Sequence, residues 1–436
     1  MTSPIPTPPI PHAPDAKSQR PQRRRVFALI SKREVARVNR LLRREFFGGL
    51  IIMVAALIGF IAANSPIADW FLSLRNFTFG PEALGLHLSV GHWASDGLLA
   101  IFFFMVGLEL KREFVEGDLR SPRTAIVPVA AAMGGVLVPA AFYLAINAGT
   151  TTMHGWAIPT ATDIAFAVAV LGLIAPGLNP ALRMFLLTLA VVDDFIAIAI
   201  IAIFYTDGVN FLPLLIAIVP AVIFALLVRW RGEWFARSKW GAWLILLPLG
   251  VVTWALFYNS GIHATIAGVV LAFLVPVRGK NGGEVAETLN SRFQPLSAYI
   301  AVPIFALFAA GVPLGGASRF PFDTVAIGIM VGLVIGKPIG ITLTTWLLTR
   351  FTRATLGSNV RWSEIIGVGA LAGVGFTVAM LVSELSFTDP SDVDTARLSV
   401  MVASLLAVAV AAVILMPGAR RRRRGLSASQ HARKTD

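Results

Sequence analysis

Runs of about 20 mainly apolar residues, the length that carries a helix across a bilayer, recur through this chain almost from end to end. They fall near 46–64, 94–110, 124–147, 156–175, 182–205 and 211–228, then near 241–258, 261–277, 296–315, 324–348, 362–385 and 397–416. Some neighbours are parted only by a short break such as Tyr258-Asn259-Ser260-Gly261, so ten or eleven crossings remain open beside twelve. Of the 436 residues 56% are apolar and 14% charged, against roughly 25% charged in a soluble domain. The expected fold is an all-α polytopic membrane protein with about twelve transmembrane helices.

Lys and Arg supply an independent count. Both ends are basic, with Arg23-Arg24-Arg25 and Arg43-Arg44 before the first run and Arg420 to Arg424 after the last. Positive charge stays in the cytoplasm, which puts both termini inside and makes the number of spans even. Alternate loops should then be basic. One holds Lys111, Arg112, Arg120 and Arg123, and the next of the kind Arg229, Arg231, Arg237 and Lys239. Two more hold Arg278, Lys280 and Arg292, and Arg350, Arg353 and Arg361, whereas the opposite loops hold only Arg75, Arg319 and Arg397. The net charge of +13 is therefore orientation charge, suited to contact with anionic lipid; without a basic folded domain no nucleic-acid partner is expected. The chain has no cysteine, which excludes disulfides and thiolate metal sites. Residues 1–45 read as a disordered Pro- and Arg-rich cytoplasmic tail whose 26–45 part could lie on the membrane as a basic helix. Residues 419–436 read as a second basic cytoplasmic tail, and nothing at the start reads as a cleaved signal peptide.

A charge at mid-membrane costs about 2.5–3.5 kcal/mol, so each one needs a reason. Asp163, Asp193, Asp194 and Lys337 stand inside the apolar runs, while Asp96, Glu109, Glu113 and His263 lie nearer span ends. Adjacent helical residues point about 100° apart, so only one of Asp193 and Asp194 can aim straight at a central site. Two close carboxylates resist ionising together. Such a pair holds protons and gives them up when a cation arrives, which is the chemistry of exchange at one site with two competing ligands. The plain alternative is a structural salt bridge. Asp163 follows Ile158-Pro159-Thr160-Ala161-Thr162, where the missing proline donor and two hydroxyls make a broken helix plausible; the plain alternative is a helix cap. Lys337, in Gly336-Lys337-Pro338, could neutralise a buried aspartate or snorkel to an interface. It is not a phosphate loop, which needs Gly at 331 and Ser or Thr at 338, where Val and Pro stand. The glycine-rich run Gly367 to Thr377 is a second place where a helix looks interrupted. Glu109 and Glu113 share one helical face, either as a cation-attracting funnel or as a simple membrane exit, and His263 is a lone histidine near a span start.

These residues have a family likeness. Phe46-Phe47-Gly48-Gly49, Ser95-Asp96-Gly97-Leu98 with Val106 to Glu113, and Ala157 to Phe166 resemble the NhaA-type bacterial sodium/proton antiporters. So do Val192-Asp193-Asp194, Gly261 to Gly268, Gly336 to Gly340 and Gly375-Phe376-Thr377, in family order from about 46 to 385. The resemblance implies a membrane antiporter domain over 46–418 with inverted repeats and two interrupted, crossing helices; NhaA is itself one of the examples behind the rule linking such repeats to transport. It implies Asp194, Asp193, Asp163 and Thr162 as ion- and proton-binding residues, with Asp194 the direct ligand of a transient Na+ and Asp193 beside it. Lys337 becomes their charge partner, and Glu109, Glu113, Asp96 and His263 the pH-sensing or cytoplasmic-funnel group. Electrogenic exchange of Na+ or Li+ for H+, a bacterial inner-membrane location and a homodimer follow from the same likeness, with no cofactor and no enzyme activity.

Three positions depart from the family pattern. Asn290 and Gln294 stand where Glu and His are usual before Pro295, and Ala309 where Asn is usual; a steep pH activation is therefore not carried over. Two rival readings remain: a channel or proton-coupled permease for another solute, and an intramembrane aspartyl protease. The first lacks pore-lining repeats, and the second needs carboxylates facing each other across a substrate. The first 45 residues lie outside the resemblance. A chain lacking residues 2–25 should insert and exchange like the parent; normal insertion with lost exchange would contradict this.

Overall fold

A computed structural model describes residues 24–25 and 32–435, apart from 177, 207, 239, 318–319, 353 and 356–359. Side chains are described within 46–419, except at 118, 122–124 and 354–355. The expectation of a disordered tail over 1–45 lies outside the described residues except at 24–25 and from 32 onward, where the chain is helical. The first helix runs unbroken from Lys32 to Ala63, so the basic stretch 32–45 continues directly into the first span. The last helix, Pro390–Thr435, likewise carries on through the basic tail.

Among the described residues, nine helices are long and apolar enough to cross a membrane, and two bent pairs raise the number to eleven. The remaining predicted stretch, 261–277, holds only the nine-residue helix Ile266–Leu274. At about 1.5 Å per residue it is too short to cross by itself, because Ser260 to Thr265 turn and do not wind. A second difference concerns 296–315: the helix there runs from Val285 to Ala309. Its first half carries Glu287, Asn290, Ser291 and Gln294, polar residues that read as loop in sequence but line a cavity in the fold.

The helices divide by burial. In the Pro180–Phe204 helix, which carries the paired aspartates, 67% of the most apolar stretch is buried; in Phe211–Arg237 and Ala242–Asn259 the share is 22%. Outward-facing Leu215, Val219, Leu244 and Val251 on the latter two suit lipid, where an apolar surface costs nothing. One extended apolar cluster joins the two bent pairs, the aspartate helix, Pro122–Ile146, Thr324–Phe351 and the last helix. Two smaller clusters hold together Phe211–Arg237, Ala242–Asn259, Ile266–Leu274 and their neighbours. Among the described residues the strands are two residues long, such as Thr78–Phe79 paired antiparallel with Leu88–Ser89.

Besides the π-turn at Trp93–Leu98, three helices contain a wide π-turn, at Ala242–Leu246, Ser297–Ala301 and Gly332–Gly336. In each, proline follows two residues after the turn, as Pro248, Pro303 and Pro338. Proline lacks a donor and its ring presses on the carbonyl four residues back, and the wide turn relieves that clash. The third sets the position of Lys337.

Pro122–Ile146 and Thr324–Phe351 cross at Gly134 and Gly340, where a β-carbon on either would strike the other's carbonyl oxygen. Gly340→Ala should cost about 1–3 kcal/mol by overpacking. The unfolding midpoint of the purified protein in detergent should fall, and a midpoint equal to the parent's would show that the two backbones are not in contact.

Candidate ion-binding site

The two bent pairs are broken spans that meet at their breaks. The first comprises the 3₁₀ segment Thr151–Thr160 and the helix Ile164–Ile174, bent by 51°; the second comprises Trp362–Ala372 and Phe376–Ser386, bent by 46°. Between the halves of the first, Ala161 and Asp163 are extended. A lipid interior offers no hydrogen bonds to freed backbone groups, so irregular chain survives there only when protein satisfies it. Here each break satisfies the other. Asp163 N–H donates to Val374 O at 2.7 Å, and Thr162 Oγ1 donates to Ala372 O at 2.8 Å. Gly375 is required by the approach, since a β-carbon there would lie 2.9 Å from Ala161 O.

Asp163 stands at the centre of this crossing. Its Oδ1 accepts from Phe166 N–H at 2.9 Å and its Oδ2 from Thr377 N–H at 3.0 Å. One carboxylate thus caps two helix N-termini, Ile164–Ile174 and Phe376–Ser386, where partial positive charge accumulates. The cap reading of Asp163 and the crossing-helix reading are both right, because the cap is what makes the crossing.

The neighbouring aspartates divide as helical geometry requires. Asp193 and Lys337 form an ion pair, Nζ to Oδ2 2.5 Å, with both side chains fully buried. Lys337 Nζ also donates to Thr162 Oγ1 at 2.8 Å, so the ammonium reaches the Ala372 carbonyl end of the second broken span through that hydroxyl. Asp194 turns away from this cluster. It lines a cavity of about 100 Å³ together with Asp163, Thr377, Glu109, Glu287 and Asn290, and its Oδ1 takes no hydrogen bond from the protein. Asp193 Oδ1 is also without a protein partner but does not line this cavity.

Of the sequence-selected residues, the structure brings together Asp163, Asp193, Asp194, Thr162 and Lys337, with Glu109 at the far end of the cavity. Glu113, one turn beyond Glu109, does not line it. Asp96 and His263 lie apart as a pair of their own, 3.6 Å between Oδ1 and Nδ1, thirteen residues up the helix from Glu109. Glu287 on the cavity wall was missed in the sequence, and Lys111 was counted there only among the loop charges. Glu287, one turn before Asn290, pairs with Arg112 across two helices; Lys111 holds the carbonyls of Phe273 and Val275 that end the short helix. The cavity therefore keeps a carboxylate near its mouth although position 290 is Asn. A separate cavity of about 510 Å³, walled by groups such as Trp93, Phe224 and Trp254, offers no anionic ligand.

Residues 39–415 match the Na+/H+ antiporter 1 family. The chain belongs to that family. It is 53% identical to the Na(+)/H(+) antiporter NhaA of Arthrobacter sp. (strain FB24), over 97% of this chain and 92% of that protein. With NhaA of Mycolicibacterium smegmatis it shares 50% identity over 90% of this chain and 91% of the relative. The fold is also similar to the sodium proton antiporter MjNhaP1 from Methanocaldococcus jannaschii, with a TM-score of 0.53 at 15% identity, covering 88% of this chain and 98% of that one. Membership in this family of multi-pass transporters agrees with the crossed broken spans and makes the chain a transporter by descent.

Lys337→Ala would leave the Asp193 carboxylate buried without its counter-ion, a loss of about 3–5 kcal/mol. Adding Asp193→Asn should recover most of the lost unfolding midpoint. A double variant as unstable as Lys337→Ala alone would mean that the pair is not the main interaction of the ammonium.

Proposed function

We propose that this chain exchanges sodium ions for protons at Asp194, electrogenically, in a bacterial inner membrane. The observation that carries the reading is a buried carboxylate with an unpartnered oxygen at the inner end of a polar cavity, placed where two broken helices cross. A cation arriving along the cavity meets Asp194 and Asp163 together with the Thr377 side of the crossing. In its absence protons occupy the same carboxylates, because two close, desolvated anions repel each other. Na+ and H+ then compete for one site, and each turnover swaps one for the other. Li+, of the same charge and smaller, is a second expected cargo. Lys337 pairs with Asp193 and, through Thr162, offsets the carbonyl ends of the crossing.

The family's name supports Na+ and H+ as the cargo, and the alternating basic loops support both termini inside the cell, with the Glu109 mouth cytoplasmic. Self-association as a homodimer is carried by the resemblance alone. A permease for an organic solute is disfavoured by the lining, because the charged groups on the cavity wall, Asp163, Asp194, Glu109 and Glu287, are all carboxylates and suit a cation.

The test is dequenching of a pH-gradient dye in vesicles or proteoliposomes on addition of sodium, lithium or potassium chloride. Sodium and lithium should collapse the gradient and potassium should not. Asp194→Asn should abolish the response while the protein still inserts; retained exchange removes the proposed site. Lowering the pH adds protons that compete with Na+, so the Na+ concentration for half-maximal exchange should rise, by up to about tenfold per pH unit for one competing proton. A half-saturation value that does not move with pH would separate Na+ from the proton site.

A further inference from the structure

A second polar cavity, of about 80 Å³, lies among Arg75, His92, Ser95, Phe308, Glu384 and Arg397. Three helices line both this cavity and the one that reaches Asp194. Val90–Val115 contributes Ser95 here and Glu109 there; Val285–Ala309 contributes Phe308 here and Asn290 there; Phe376–Ser386 contributes Glu384 here and Thr377 there. Thr377 touches Asp163, and Glu384 lies seven residues further on, about 10 Å along the same half-helix. The two cavities therefore stand on opposite sides of the crossing, along one set of walls.

An ion pair forms part of the wall of the small cavity. Arg397 Nη2 donates to Glu384 Oε2 at 3.0 Å, and His92 Nε2 lies 3.8 Å from Glu384 Oε1. Arg397 is 3% exposed, yet its Nε and Nη1 have no protein partner. Arg75 is tied to Gly311 O at 3.1 Å, and the Asp394 carboxylate lies within electrostatic reach of both arginines. The sequence reading counted Arg397 as a loop charge; the fold buries it, because Pro390 starts the last helix seven residues earlier. Arg397 is buried while Glu384 is 25% exposed; an ion pair with a desolvated partner is a poor source of stability, and its best-attested use is as a registry or switching element.

We propose that the small cavity is the shut vestibule of the second access route, on the Asp96 side, and that the Arg397–Glu384 pair is its latch. The proposal rests on the exchange reading above. An exchanger must open its site to each face in turn. The half-helix Phe376–Ser386 carries the cap contact of the site at one end and the latch at the other, so parting Glu384 from Arg397 frees the end that faces the second route.

The chain has no cysteine, so Ser95→Cys reports water access without background. A membrane-impermeant cationic methanethiosulfonate, added to either face of sealed vesicles, should label it slowly. With Glu384→Gln the rate should rise by about tenfold or more from one face only, as a two-state element loses its closing preference. The charge swap Glu384→Arg with Arg397→Glu should slow it again. Equal rates with and without Glu384→Gln, or an acceleration that the swap leaves in place, overturns the latch. Should Glu384→Gln fail to insert, Glu384→Cys with Arg397→Cys bridged by a short bifunctional thiosulfonate decides. Exchange should fall about tenfold and return on reduction, and undiminished exchange while bridged overturns the latch. Exchange by the parent in the same vesicles is read separately. Its absence defeats the exchange reading, whereas the labelling contrast judges the latch alone.

Discussion

One carboxylate joins two helix ends, and the rest of the molecule is arranged around that fact. Two spans are broken inside a medium that cannot solvate a peptide group. Asp163 accepts an N–H from the first turn of each following half-helix, and Thr162 and Val374 close the remaining backbone gaps. Removing either break would leave the other with buried unsatisfied groups, each worth about 1–3 kcal/mol. The breaks are therefore a single element built from residues more than 200 positions apart in sequence, and the ion site exists because they meet.

Around this crossing the paired aspartates take separate tasks. Asp193 is committed to Lys337 and through it to Thr162. Asp194, turned about 100° round the same helix, faces the cavity. The buried lysine makes this division possible, because it fixes which of two adjacent carboxylates is bound to the protein and which is left for cargo. A pair without such a partner would share one environment, and neither member would be reserved.

Much of this was legible in sequence because a charge inside an apolar run is conspicuous. Asp163, Asp193, Asp194 and Lys337 were all marked by that criterion, and the broken spans by Pro159 and by the glycines from 367 to 375. What stayed hidden was of two kinds. The first was partnership across long separations: nothing local says that Asp163 also caps Phe376–Ser386, or that Lys337 chooses Asp193 over Asp194. The second was polarity with a purpose. Glu287, Asn290 and Gln294 looked like a loop because they are polar, yet they are the wet face of a membrane helix. Arg397 looked like a loop charge because it sits at the edge of an apolar run, yet it is buried against Glu384. Hydropathy registers how much polarity a segment holds but not whether that polarity faces water, a cavity or a counter-ion.

The wide turn at Gly332–Gly336 fits an additional residue into one turn of the lysine helix. From that point onward every side chain is rotated relative to a regular helix, and Lys337 is the first to inherit the offset. A regular helix over the same stretch would swing the ammonium by roughly 100° per residue of register, away from Asp193 and towards another wall. The ion pair therefore depends on phase as much as on charge. Proline at 338 works here as a timing device, setting where along the turn the lysine comes round, and relatives that keep the lysine while shifting the proline would have to find their counter-ion elsewhere.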